Sequence, residues 1–147
     1  MHSKDALLVL SIGTAANFPW ELAQSLLYRG TSGFSWSQHV ACCALASLAD
    51  GTGIVAMYLL GTLAWNDEYW NYHGSHIKVA ATVALGLVGA TVIEKVALQL
   101  NWWAYGPAMP RVVGTDLGVS PLVQFVLLPP LLLFCVVPRL TQSARVV

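Results

Sequence analysis

The sequence predicts an all-α fold, a four-helix transmembrane bundle, on three observations. Charge is scarce, hydropathy is high, and the apolar residues gather into four runs of bilayer length. Of the 147 residues, 56% are hydrophobic and 10% are charged, with a mean hydropathy of +0.64. Soluble domains carry about 25% charged residues, so these charges are too few to cover a water-facing body. The remaining apolar surface is expected to face lipid. The whole chain, 1–147, reads as one integral membrane domain.

A bilayer crossing takes roughly 20 apolar residues. The first candidate span runs from about Ala6 to Tyr28 and the second from about Gln38 to Trp65. The third covers about Ile77 to Asn101 and the fourth about Gly118 to Leu140. The first run reads as a retained helix and not as a cleaved signal, because Asp5 offsets Lys4 and no small-x-small site follows. Arg29-Gly30-Thr31-Ser32-Gly33 is turn chemistry, and Asn66 to His76 is polar and aromatic. Trp102 to Leu117 is the longest connection, with prolines and glycines that preclude a regular helix. Trp65, Tyr69, Trp70, Tyr72, Trp102, Trp103 and Tyr105 fall at headgroup level, where interfacial anchoring is their simplest role. Lys4, Lys78, Arg139 and Arg145 share the side of both termini, against Arg29, Arg111 and a deeper Lys95, so the termini are expected in the cytoplasm.

Composition excludes several functions. Seven basic residues balance seven acidic ones, and no basic stripe is available to nucleic acid. No phosphate-binding loop and no G-x-S-x-G elbow occurs. Cys42, Cys43 and Cys135 read as small lipid-facing or core residues. His2, His39, His73 and His76 lie at or beyond helix ends, which argues against intramembrane haem. His73 and His76 beside Asp67 and Glu68 are too loosely spaced for a metal site, and none is expected.

The informative residues are polar groups inside the spans. A charge at the bilayer centre costs about 2.5–3.5 kcal/mol on insertion scales, so it persists where it pairs, faces a cavity or does chemistry. Glu21, Asp50 and Glu94 are such carboxyls. From the helical rise, Glu21, Glu94 and Gln124 fall roughly 5–8 Å to the outer side of mid-membrane, with Gln24 slightly further out and Asp50 near the centre. Thr14, Asn17, Glu21, Gln24 and Tyr28 form one stripe on the first helix. Ser47 shares a face with Asp50, Thr91 with Glu94, and Ser120 with Gln124. Gly51 and Gly53 would let a neighbouring helix approach closely. Pro19 removes a backbone donor beside Glu21, and Pro129-Pro130 should kink the fourth helix.

Two carboxyls close together in low dielectric divide into one acid and one base, which suits proton transfer to and from an alkene or carbonyl. Glu21 and Glu94 are the candidate pair, with Asp50 tuning one of them. Asn17, Gln24, Ser120 and Gln124 would hold the polar part of a substrate, and Trp20, Tyr28, Trp102, Trp103 and Tyr105 would supply aromatic faces that steady positive charge.

Asn17-Phe18-Pro19-Trp20-Glu21, followed by a helix with Asp50, resembles the N-x-x-W-E and later intramembrane Asp pattern of fungal integral-membrane terpene cyclases of meroterpenoid and indole-diterpenoid pathways. The resemblance covers roughly residues 14 to 58, and this chain is shorter with fewer helices. It implies acidic side chains, Glu21 and Asp50, that protonate an epoxide or alkene. The expectation is a cofactor-independent enzyme that cyclises or isomerises an isoprenoid-like substrate reaching the site from the membrane. The alternatives are a non-catalytic subunit of a larger complex, whose polar residues fix helix packing, and a small proton-coupled transporter. The small-residue faces permit either a monomer or a dimer, and the partners expected are membrane lipid or a lipid-soluble small molecule, with a homo-oligomer or a larger membrane complex as further options.

Overall fold

The computed structural model describes residues 3–29 and 33–143. His2 and Arg145, the Lys4 side chain and residues 30–32 of the first turn lie outside the described residues. The chain is all-helical. Helix α1 spans Ser3–Gln24 and ends in a 3₁₀ turn, Ser25–Leu27. Helix α2 spans Trp36–Trp65 and α3 spans His76–Gln99. Helix α4, Val119–Leu131, passes through a π segment, Leu132–Val136, into α5, Val137–Ser143. The four membrane-spanning stretches are Asp5–Leu27, Trp36–Trp65, His76–Gln99 and Val119–Thr141, within two residues of the sequence-based bounds.

Local chemistry sets the helix ends. Ser35 caps α2 in a reciprocal arrangement with Gln38, so two otherwise orphaned donors are satisfied. Asn66 closes α2 in the left-handed conformation (φ 48°), a region that asparagine tolerates better than most residues. Ser75 caps α3 by accepting from the Lys78 backbone.

Helix α1 packs along α2, and α3 along α4. The first pair closes at glycine. A Cβ on Gly13 would lie 3.1 Å from the Gly51 Cα, and one on Gly51 would lie 2.6 Å from Thr14 Oγ1, so any larger side chain would force the helices apart. The second pair closes where Gly86 meets the carbonyl of Phe125. That carbonyl is free because its usual partner, four residues on, is Pro129.

The paired prolines continue as helix, and the break falls further along, in the π segment. There the Val137 amide donates to the Leu132 carbonyl, which shifts the register by one residue. The Leu133 carbonyl loses its helical partner and accepts instead from Asn71 Nδ2 at 3.0 Å.

The apolar core lies at the end of the bundle that holds the α2–α3 connection. Val9, Ile54, Tyr58, Trp70, Leu132, Leu133 and Val137 make it up. Trp70 is 1% exposed, which corrects its reading as an interfacial anchor. The connection folds back into the bundle. The Trp70 ring stacks on Trp65 at 5.2 Å, meets Phe134 edge-on, and donates through Nε1 to the Tyr58 carbonyl at 3.1 Å. A Cβ on Gly61 would overlap this ring.

Candidate functional site

At the opposite end, helices α1, α2 and α4 bring amide and carboxyl groups together. Gln124, 1% exposed, is the centre. Its Nε2 donates to Asn17 Oδ1 at 2.7 Å, Asp50 Oδ2 at 2.8 Å and Glu21 Oε1 at 3.0 Å. Two hydrogens serve three acceptors, so at least one bond is shared. Gln24 completes the arrangement. Its Nε2 donates to Glu21 Oε1 at 2.5 Å and to Gln124 Oε1 at 3.1 Å. Its own oxygen accepts from Ser120 Oγ at 2.9 Å and Trp20 Nε1 at 3.2 Å. The Glu21 and Asp50 carboxyls thus accept from one and the same nitrogen and lie side by side.

Glu94 occupies a second, adjoining position on α3 and is 4% exposed. One of its oxygens, Oε2, accepts from Trp103 Nε1 at 3.3 Å and from the Tyr105 hydroxyl. The connection 101–118 delivers both aromatics. It is pinned by a bridge between Tyr28 and Tyr105, in which the Arg29 amide donates to the Ala104 carbonyl and the Gly106 amide to that of Leu27, each at 2.7 Å. Tyr28 joins the Glu94 group, edge-on to Trp103 at 6.3 Å and tilted to Tyr105 at 5.5 Å. Burial, then the charge of Glu94, pushes the Tyr28 phenol up. Burial, then its hydrogen bond to Glu94, does the same for Tyr105. Both phenols therefore remain hydrogen donors across the physiological range.

The sequence-based site residues divide accordingly. Asn17, Trp20, Glu21, Gln24, Asp50, Ser120 and Gln124 form one network. Tyr28, Glu94, Trp103 and Tyr105 form the adjoining group. Glu21 shares the Gln124 amide with Asp50, whereas Glu94 takes its donors from Trp103 and Tyr105. Trp102 is 64% exposed and, among the described residues, meets the group through the Trp103 ring, 6.5 Å away. Lys95 is exposed. The ion pairs among the described residues, Lys78–Asp67 and Arg111–Asp116, leave out all three intramembrane carboxyls.

One contact had no sequence signal. Ser25 Oγ lies 3.0 Å from His39 Nε2, because the 3₁₀ turn after α1 carries Ser25 round to the start of α2. Neither residue stands in a recognisable motif. The cysteines are free, with Cys43 buried and Cys42 and Cys135 exposed. Among the described residues no group of three His, Cys, Asp or Glu side chains is placed to hold a metal ion.

Fold and site together define a multi-pass membrane protein with a buried network of carboxyl and amide side chains at one end of its bundle. No family profile, curated protein or solved structure matches the chain.

Proposed function

We propose that the chain is a membrane-embedded acid–base enzyme acting on a lipid-soluble, isoprenoid-like substrate. Glu21 and Asp50 share the working proton, and Glu94 is the second acid. One observation carries the reading: three carboxyls at membrane depth have no cationic partner among the described residues. Amides and hydroxyls alone could join the helices at lower cost, and an intramembrane carboxyl is by default a functional group. The reaction class is isomerisation or cyclisation. A proton is delivered to one carbon and another is removed elsewhere on the same molecule, so the step balances without oxidant or reductant. The aromatic faces of Tyr28, Trp103 and Tyr105 suit the positive charge that such a step develops. The termini face the cytoplasm in this reading, and the site opens toward the other leaflet.

The apolar plug built on Trp70 at the far end supports a one-sided site over a path through the membrane, and so disfavours a transporter. The alternative of a non-catalytic subunit has its own support. The hydrogen bonds of Gln24 and Gln124 join α1, α2 and α4, as packing contacts would. Membranes that hold the wild-type chain, Glu21→Gln or Asp50→Asn can be incubated in D₂O and their lipids analysed by mass spectrometry. The enzyme reading expects carbon-bound deuterium in one lipid class with the wild type alone. Equal labelling in all three would refute it and leave the packing role.

A further inference from the structure

Lys95 is an intramembrane charge that the carboxyl–amide network leaves out. It stands on α3, four residues before the helix ends at Gln99, inside the third membrane-spanning stretch. Its neighbour Glu94 is buried and takes its donors from Trp103 and Tyr105. Lys95 itself is exposed and makes no ion pair among the described residues. Val88, Val92 and Gln99 share its face at helical spacing and are exposed with it, so this face meets lipid. An unpaired cation in hydrocarbon is costly. Four residues of helix rise about 6 Å, a span that the four-carbon lysine stem covers, so the ammonium reaches the level of the helix end while its methylenes stay in hydrocarbon. An anion is needed there. None of the described acids within the spans at this end is free to supply it, because Glu21 and Glu94 are buried and Asp50 is bonded to Gln124. Asp116 lies in the α3–α4 connection, paired with Arg111. A second copy of the chain therefore brings Lys95 no counter-ion. The exposed charges of this end are otherwise Arg29 and Arg111 against Asp116, which leaves its surface basic.

We propose that Lys95 and Gln99 form a binding site for an anionic phospholipid, in the leaflet on the side of the α3–α4 connection. One phosphate oxygen accepts from Lys95 Nζ and another from Gln99 Nε2, which lies one turn nearer the headgroups on the same face. The acyl chains run along Val88 and Val92. Trp102, exposed just past the helix end, sits at the interfacial level where the phosphate lies. A zwitterionic head group carries its own cation, which offsets part of the attraction, so net negative charge is what the site selects. The site is separate from the buried carboxyls and holds whether or not they catalyse a reaction.

The test titrates the purified full chain in detergent with phosphatidylglycerol or phosphatidylcholine and counts bound lipid by native mass spectrometry. Phosphatidylglycerol is expected to bind at least about fivefold more tightly, the usual effect of one basic side chain on an anionic lipid. Lys95→Gln should remove that preference, and Lys95→Arg should keep it. Gln99→Leu should weaken both lipids by a similar factor, since each carries the phosphate. Glycerol phosphate, which lacks acyl chains, should not displace the bound lipid. Equal affinity of the wild type for the two lipids would overturn the proposal. So would an unchanged preference in Lys95→Gln, its loss in Lys95→Arg, or displacement by glycerol phosphate. In native membranes a photo-crosslinker at Val92 should capture phospholipid, and capture of a protein in its place would assign this face to a partner helix and overturn the lipid site.

Discussion

Gln124 is where the carboxyl–amide network is held together. A single amide nitrogen reaches Asn17 and Glu21 on α1 and Asp50 on α2. Leucine at this position keeps the volume and removes the donors, so Asn17, Glu21 and Asp50 each lose a partner in a region where water does not substitute. Each group left without a partner costs about 1–3 kcal/mol. Gln124→Leu should therefore lower thermal stability in detergent by at least about 2 kcal/mol. An unchanged melting curve would show that the network adds no stability. Asp50→Asn should behave differently. Asparagine keeps the shape and brings its own hydrogen to the contact with Glu21, replacing the shared proton. Stability should stay within about 1 kcal/mol of wild type, while deuterium transfer into lipid disappears. A destabilised Asp50→Asn chain would mean that the contact depends on charge instead of a shared proton. The polar residues themselves were legible in the sequence. Their spacing placed Asn17, Glu21 and Gln24 on one face, and helical rise placed Gln124 at the same level. The partner of Glu21 was not. Depth alone pointed to Glu94, but depth says nothing about how far each helix is rotated, and the rotation of α2 turns Asp50 toward Glu21.

At the scale of elements, close approach decides the packing. Gly86 and Gly89 lie three residues apart on α3 yet face different surroundings. A Cβ on Gly86 would run into the Phe125 carbonyl that Pro129 leaves free, whereas one on Gly89 meets nothing within 4 Å. Gly86→Ala should destabilise the α3–α4 pair by about 1–3 kcal/mol, the usual range for overpacking. Gly89→Ala should be neutral or stabilising by up to about 1 kcal/mol, since alanine favours the helix. Parallel unfolding of the two variants in one detergent checks the contrast, and equal effects would contradict the packing described. The helices were legible from hydropathy, because lipid demands an uninterrupted apolar run and satisfied backbone groups. The π segment was not. Pro129-Pro130 signalled a kink, but the register shift falls three residues later, where Asn71 can take up the Leu133 carbonyl. That compensation comes from a side chain 62 positions away.

The whole molecule is polarised, with an aromatic, apolar plug at one end and the carboxyl–amide network at the other. Val113, 97% exposed in the α3–α4 connection, and His73, exposed in the α2–α3 connection, mark opposite ends of the bundle. In a variant with its three cysteines replaced by alanine, Val113→Cys should react with a membrane-impermeant maleimide added to intact cells, and His73→Cys only after lysis. The reverse pattern would place the termini outside. The sequence by itself determined the all-α class, the four spans and the polar stripe on α1, because these follow from local periodicity and from the length that a bilayer imposes. Only the tertiary structure decided that Asp50 sits against Glu21, that Tyr105 and Trp103 clamp one oxygen of Glu94, and that Trp70 belongs to the core. Those outcomes depend on helix rotation and on where two long connections fold back. Both are set by contacts between residues far apart in the chain, which a one-dimensional pattern does not record.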